Sequence, residues 1–237
     1  MSRRSALRRV GVVVLVANAA LALAKGAVFL DTGSLAVGSE AVNSLADLAY
    51  SLVIVGGLYL TTKPPDFTHP HGHERIEPFV SLFVAVGIFA AGGIVLWQAG
   101  TALWTGEITV AQGPVAAVVL ASGGVVKYGL YRYCRSVAET HDSPALHATA
   151  IDNRNDILAA SAAVLGVAGA AAGAPVLDPL AALAVGCAVL YSGVEVVRDN
   201  VDYLVGAAPP EQLRAEILDR ALAHPEVEGV HVIVAHY

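Results

Sequence analysis

The chain has 237 residues, 56% of them hydrophobic and 14% charged, with a formal net charge of −6 and a mean hydropathy of +0.63. Soluble domains carry about a quarter charged residues, and one soluble core cannot hide several apolar runs longer than the ~18 residues that mark a spanning helix. A soluble fold is therefore excluded, and with no basic stripe in the sequence so is nucleic acid as a partner.

Taken in chain order, the first apolar run follows "MSRRSALRR", which has the basic character of a signal-peptide start. The run continues unbroken to about Leu30 and five more follow it, so it reads as a retained first helix. The predicted spans are roughly 10–30, 34–61, 77–103, 109–132, 145–172 and 176–200, punctuated by Gly33, Gly106, Gly113 and the "GAP" at 173–175. Cys134 falls in the loop expected at 133–144 and Cys187 in an apolar run; without CxxC spacing both read as structural. The predicted fold class is an all-α membrane protein with six transmembrane helices over residues 1–205.

Basic residues orient these spans. Twelve of the 14 Lys and Arg are assigned to one side or its helix ends: Arg3, Arg4, Arg8, Arg9, Lys63, Arg75, Lys127, Arg132, Arg135, Arg198, Arg214 and Arg220. Lys25 and Arg154 lie within spans, and the short loops opposite contain none. The positive-inside rule then predicts cytoplasmic N- and C-termini in the cell membrane. After the last span, residues 206–237 change character. Pro209 and Pro210 are expected to start a helix, and "VHVIVAHY" reads as a strand. One helix and one strand do not make a stable domain alone, so either the chain is truncated or this segment packs on something else.

Polar residues inside the spans carry the chemistry. Asp152 and Asp156, in "IDNRND", are four apart and share a helix face, as do Asn43 and Asp47 in "SEAVNSLAD", with Glu40 on roughly the same stripe. At 1.5 Å per residue, Asn43 lies roughly 15 Å below the outer end of its span, and Asp156 sits at a similar depth. Two oppositely directed helices thus present four oxygen-bearing side chains at one level, enough for a tetrahedral cage. An ionised carboxylate in hydrocarbon is costly and normally faces water or a cation. In the alternative, Arg154 neutralises one aspartate and Asn43 ties two helices together; it leaves at least two carboxylates without a partner.

In the loop "PPDFTHPHGHERIE", Asp66, His69, His71 and His73 cluster imidazoles with a carboxylate, a plausible metal site. Glu77 is expected to cap the third helix, and His141 and His147 to sit at a solvated interface.

These residues resemble the cation diffusion facilitator family. The segments "TGSLAVGSEAVNSLAD", "HPHGHERIEP" and "ATAIDNRNDILAA" match the family's pattern in order and spacing, and the likeness extends to about Val205. The resemblance implies a homodimeric secondary transporter, not an enzyme, that exports divalent metal in exchange for protons by alternating access. By position, its transport site is Asn43, Asp47, Asp152 and Asp156, with Asp66, His69 and His73 at a possible second site. Residues 206–237 resemble the incomplete beginning of the family's small α+β cytoplasmic domain, in which His231 is a candidate ligand. No cofactor is implied beyond the transported ion. Zinc-type members usually have Asp or His at the position of Asn43 and His at that of Asp152. An all-oxygen set suits a harder ion, so Mn²⁺ is expected over Zn²⁺ or Fe²⁺, and Mg²⁺, which prefers octahedral surroundings, is disfavoured. Without a histidine in the cage, proton exchange falls on the aspartates. The rival readings are a metal-dependent membrane phosphotransferase, whose upstream Asp-Gly and Ala-Arg turns are missing before Asp152, and a non-transporting metal sensor.

Overall fold

A computed structural model describes residues 2–33, 35–70, 72–107, 114–207 and 211–231. Six long helices, α1 (Arg3–Thr32), α2 (Leu35–Thr61), α3 (Glu77–Thr105), α4 (Pro114–His141), α5 (Pro144–Ala171) and α6 (Leu177–Leu204), are followed by a shorter α7 (Glu211–Leu222). A 3₁₀ turn at Glu74–Ile76 leads into α3. The chain is an all-α membrane protein: among the described residues, four helices (α1, α2, α3 and α6) are long and apolar enough to cross a bilayer. Helices α4 and α5 have the same length as α6, 28 residues, but charged side chains interrupt their apolar stretches. Large apolar residues such as Leu23, Leu30, Ile94, Trp97, Trp104 and Leu165 face outward. Such a surface is suited to lipid, which cannot satisfy backbone groups and so selects helices.

The main helix pairs are α1 with α2, α3 with α6 and α4 with α5, and α5 also packs on α3 and α6. Leu7, Val10 and Val14 of α1 share one buried stripe at helical spacing and join Ile54, Leu58, Val84 and Ile88 in the core. Small residues let α3 and α6 approach closely. A Cβ on Gly186 would lie 2.7 Å from Leu96 Cδ2, and one on Gly92 2.9 Å from Leu190 Cδ2.

Two expectations are corrected. The long loop at 133–144 does not form; α4 runs on to His141, and only Asp142 and Ser143 join it to α5. Cys134 is accordingly helical and fully buried. Leu130, Cys134 and Ala138 form an i, i+4, i+8 stripe that packs on the core, so α4 stays helical where its other faces turn polar. Hydropathy detects the edge of the bilayer, not the end of the helix. Ser143 then starts α5, its Oγ accepting from Leu146 N at 3.3 Å, with Pro144 at the first position.

At the C-terminal end, α7 begins at Glu211 and none of its residues is buried. Pro209 and Pro210, most of the expected strand at 230–237, and His71 and Gly113 lie outside the described residues. His231 is exposed and non-helical.

Candidate metal centre

Helices α2, α4 and α5 bring together what the sequence separates by more than a hundred positions. A cavity of about 110 Å³ is lined by Asn43 and Asp47 of α2 and Asp156 of α5. Lys25, Glu40 and Lys127 line it too, while Gly123, Gly124 and Ala160 keep its wall low. Three of the four proposed ligands thus share one space. Asp152 lies one helical turn from Asp156, half-buried, outside that cavity's lining.

Lys127 occupies the centre. Its Nζ donates to Asp47 Oδ2 at 2.8 Å and lies 2.6 Å from Asp156 Oδ2. The second contact is the shorter of the two charge pairs. The Lys127 side chain is only 8% exposed. This corrects the assignment of Lys127 to the basic residues at the cytoplasmic helix ends. It also bears on the alternative in which Arg154 neutralises one aspartate and at least two carboxylates lack a partner. The cation that meets Asp47 and Asp156 is Lys127 of α4, not Arg154 of α5. Arg154 turns the other way and donates to Ser192 Oγ on α6 at 2.8 Å.

The rest of "IDNRND" explains that division. Asn155 accepts from Ser192 at 3.3 Å, and Asn153 is buried against its own helix, donating to Thr149 O at 2.8 Å. Arg154 and Asn155 fasten α5 to α6, leaving Asp156 to face α2 and α4. A second ion pair lies on the same cavity: Lys25 of α1 donates to Glu40 of α2 at 2.8 Å. Asn18 of α1 also donates to Ser51 at 2.7 Å, and Ser51 in turn to Asp47 O at 2.7 Å, which steadies the turn bearing Asp47. Sequence reading missed Lys127 as a partner. The available signal was its position inside an apolar stretch, "SGGVVKYGL", where a lysine needs a counter-ion.

The loop residues also converge. Asp66, His69 and His73 each offer a ligand atom within 4.8 Å of the others. Asp66 Oδ1 accepts from Thr68 Oγ1 at 2.7 Å, Thr68 N at 2.9 Å and His69 N at 2.6 Å. These donors, the Thr68 hydroxyl foremost, hold the Asp66 carboxyl well below the usual carboxylate range. The rings of His69 and His73 stand 4.4 Å apart, and His73 Nδ1 is buried without a partner. A hard–borderline divalent ion suits this N,N,O set.

At the opposite end of α3 from its glycine cap, Glu77 begins the helix and is 1% exposed. Its carboxylate accepts from Arg3 Nη2 at 2.6 Å and from the Ser143 hydroxyl. As the first residue of α3, Glu77 also sets an anion at the positive end of the helix, as expected. His147 lines a 560 Å³ cavity with Glu139, Asp142, Asp199 and Asp202; His141 gives its carbonyl to Arg3 at 3.2 Å.

Comparison with known proteins agrees with this architecture. The cation efflux transmembrane domain matches residues 11–205. An uncharacterized transporter of Methanocaldococcus jannaschii is 30% identical over 223 residues, covering 94% of this chain and 78% of its own. Magnetosome protein MamM of Paramagnetospirillum magneticum is 32% identical over 234 residues, 97% of this chain and 73% of its own. Metal tolerance protein C1 of Arabidopsis thaliana is 28% identical over 231 residues, 92% of this chain but 49% of its own. A match over most of the chain, with relatives at this identity along nearly its whole length, places the protein in the cation efflux, or cation diffusion facilitator, family of multi-pass membrane transporters.

Proposed function

We propose that the protein exports a divalent metal ion from the cytoplasm in exchange for protons, by alternating access. Asn43, Asp47, Asp152 and Asp156 form the transport site, within six spans whose termini are both cytoplasmic. One observation carries the reading: Asp47 and Asp156, from separate helices, approach a single cationic centre to 2.8 and 2.6 Å. Two carboxylates already converged on one positive charge, beside a neutral amide ligand in a small cavity, are suited to a bare divalent ion. Asp152 completes the set when the helices rock against one another. An all-oxygen site favours Mn²⁺ over Zn²⁺ or Fe²⁺, with the aspartates carrying protons in the return direction.

Asp66, His69 and His73 form a second metal site in the loop between α2 and α3. Residues 206–237, including α7, belong to a cytoplasmic domain, and the working unit is a homodimer. The test is metal-stimulated proton flux in proteoliposomes with Mn²⁺, Zn²⁺ and Fe²⁺ in turn. Proton efflux stimulated by Mn²⁺ above the other two is expected; no flux with any of them overturns the reading.

A further inference from the structure

We propose that Lys127 is a built-in stand-in for the transported ion: its ammonium holds Asp47 and Asp156 together in the unloaded site and swings aside when a divalent ion enters. This rests on the transport reading above and adds to it a residue outside the ligand set. The geometry is specific. Nζ reaches carboxylates on two different helices at 2.8 and 2.6 Å, and the side chain that delivers it is 8% exposed. Three helices therefore meet at one nitrogen.

The physical argument concerns the empty carrier. In a transporter that exchanges metal for protons, the site stands metal-free and deprotonated after its protons leave and before metal enters, and two converged anions in a low-dielectric bundle then repel one another. A lysine tethered on α4 supplies the missing charge from within the protein. It also sets a threshold for entry, because an incoming ion must displace a single positive charge, which a divalent ion does more readily than a monovalent one. A lysine can move in this way: its ammonium is a compact charge on a flexible four-carbon stem. The 110 Å³ cavity that Lys127 itself lines, walled by Gly123, Gly124 and Ala160, supplies the room. The outer carboxylate on that cavity, Glu40, is already held by Lys25 at 2.8 Å, so the two lysines do not compete for one partner. Arg154 cannot substitute, since it is engaged with Ser192 on α6.

The experiment compares the full chain with Lys127→Met and Lys127→Gln in proteoliposomes, using Mn²⁺ as the probe. Binding is read by electron paramagnetic resonance, and flux is read both as net uptake and as Mn²⁺/Mn²⁺ counterflow, which does not require the empty carrier to return. If the ammonium fills the site about nine tenths of the time, apparent affinity is weakened about ten-fold. Lys127→Met should therefore bind Mn²⁺ about ten-fold tighter. Net uptake should fall by a similar factor, and several-fold further than counterflow. Unchanged affinity, or net uptake and counterflow falling together, overturns the proposal. Should neither variant fold, the unaltered chain decides: reductive methylation of Lys127, followed by mass spectrometry, must change on adding Mn²⁺, and an unchanged extent overturns the exchange. If the unaltered chain shows neither uptake nor counterflow with Mn²⁺, Zn²⁺ or Fe²⁺, the transport reading itself fails, a result distinct from the failure of Lys127.

Discussion

Arg3, in the first turn of α1, places Nη2 2.6 Å from Oε2 of Glu77, at the start of α3, and closes the bundle at that end. Glu77 is 1% exposed, and its other oxygen accepts from Ser143 in the turn between α4 and α5. One carboxylate thus joins three parts of the chain. Removing Arg3 leaves a buried anion with only a hydroxyl, so Arg3→Ala is expected to destabilise the protein by about 3 kcal/mol. Glu77→Gln in the Arg3→Ala background should recover part of that loss, because it removes the unpaired charge. Thermal unfolding of the two single variants and the double variant in detergent checks both statements.

The transport site predicts a sharper result. Asp47→Ala and Asp156→Ala each remove a carboxylate from the shared cavity and leave Lys127 with one partner instead of two. Metal-stimulated flux in proteoliposomes should drop to background in both, with the helical fold retained by circular dichroism. Wild-type flux in either variant would show that the ion travels elsewhere. Asp152→His adds an imidazole to an oxygen set and should shift preference towards Zn²⁺; competition between Zn²⁺ and Mn²⁺ measures it.

The loop cluster separates a structural role from a ligand role at Asp66. Its side chain both organises the turn, through Thr68 and His69, and faces His73 Nε2 at 3.8 Å. Asparagine can keep an Asx-type turn but offers no anion. Asp66→Asn should therefore keep the loop's conformation while losing metal bound outside the transport site. Metal stoichiometry, measured in an Asp47→Ala background, reads this directly. Because hydrogen bonding holds the Asp66 carboxyl low, its contribution to the turn is present above the ordinary carboxylate range. That contribution is lost only as pH falls through the depressed value.

Packing between α2 and α3 gives a paired test at adjacent glycines. A Cβ on Gly57 would lie 2.5 Å from Val80 Cγ2 and 3.0 Å from Val80 Cγ1, whereas one on Gly56 meets nothing within 4 Å. Val80 is buried and β-branched, so it cannot easily turn away. Gly57→Ala should cost about 1–2 kcal/mol by overpacking, and Gly56→Ala should be neutral or slightly stabilising. Melting temperatures of the two variants should move apart, and equal shifts would refute the close approach.

The amino-acid sequence by itself determined the helical, lipid-facing character of the chain, the approximate ends of most long helices, and the pairing of Asn43 with Asp47 and Asp152 with Asp156. Those features are local: a period of 3.6 residues and the poor solubility of charge in hydrocarbon act within one segment, so they can be read along it. Asp66, His69 and His73 were legible for the same reason, being only a few positions apart. The tertiary structure alone decided which cation meets the carboxylates. Lys127 lies 80 positions from Asp47, and Arg3 lies 74 from Glu77. Nothing in either segment says which helices become neighbours or how far each is rotated about its axis. For the same reason α4 outlasts its apolar stretch: the core contacts of Cys134 and Ala138, and not hydropathy, set where that helix ends.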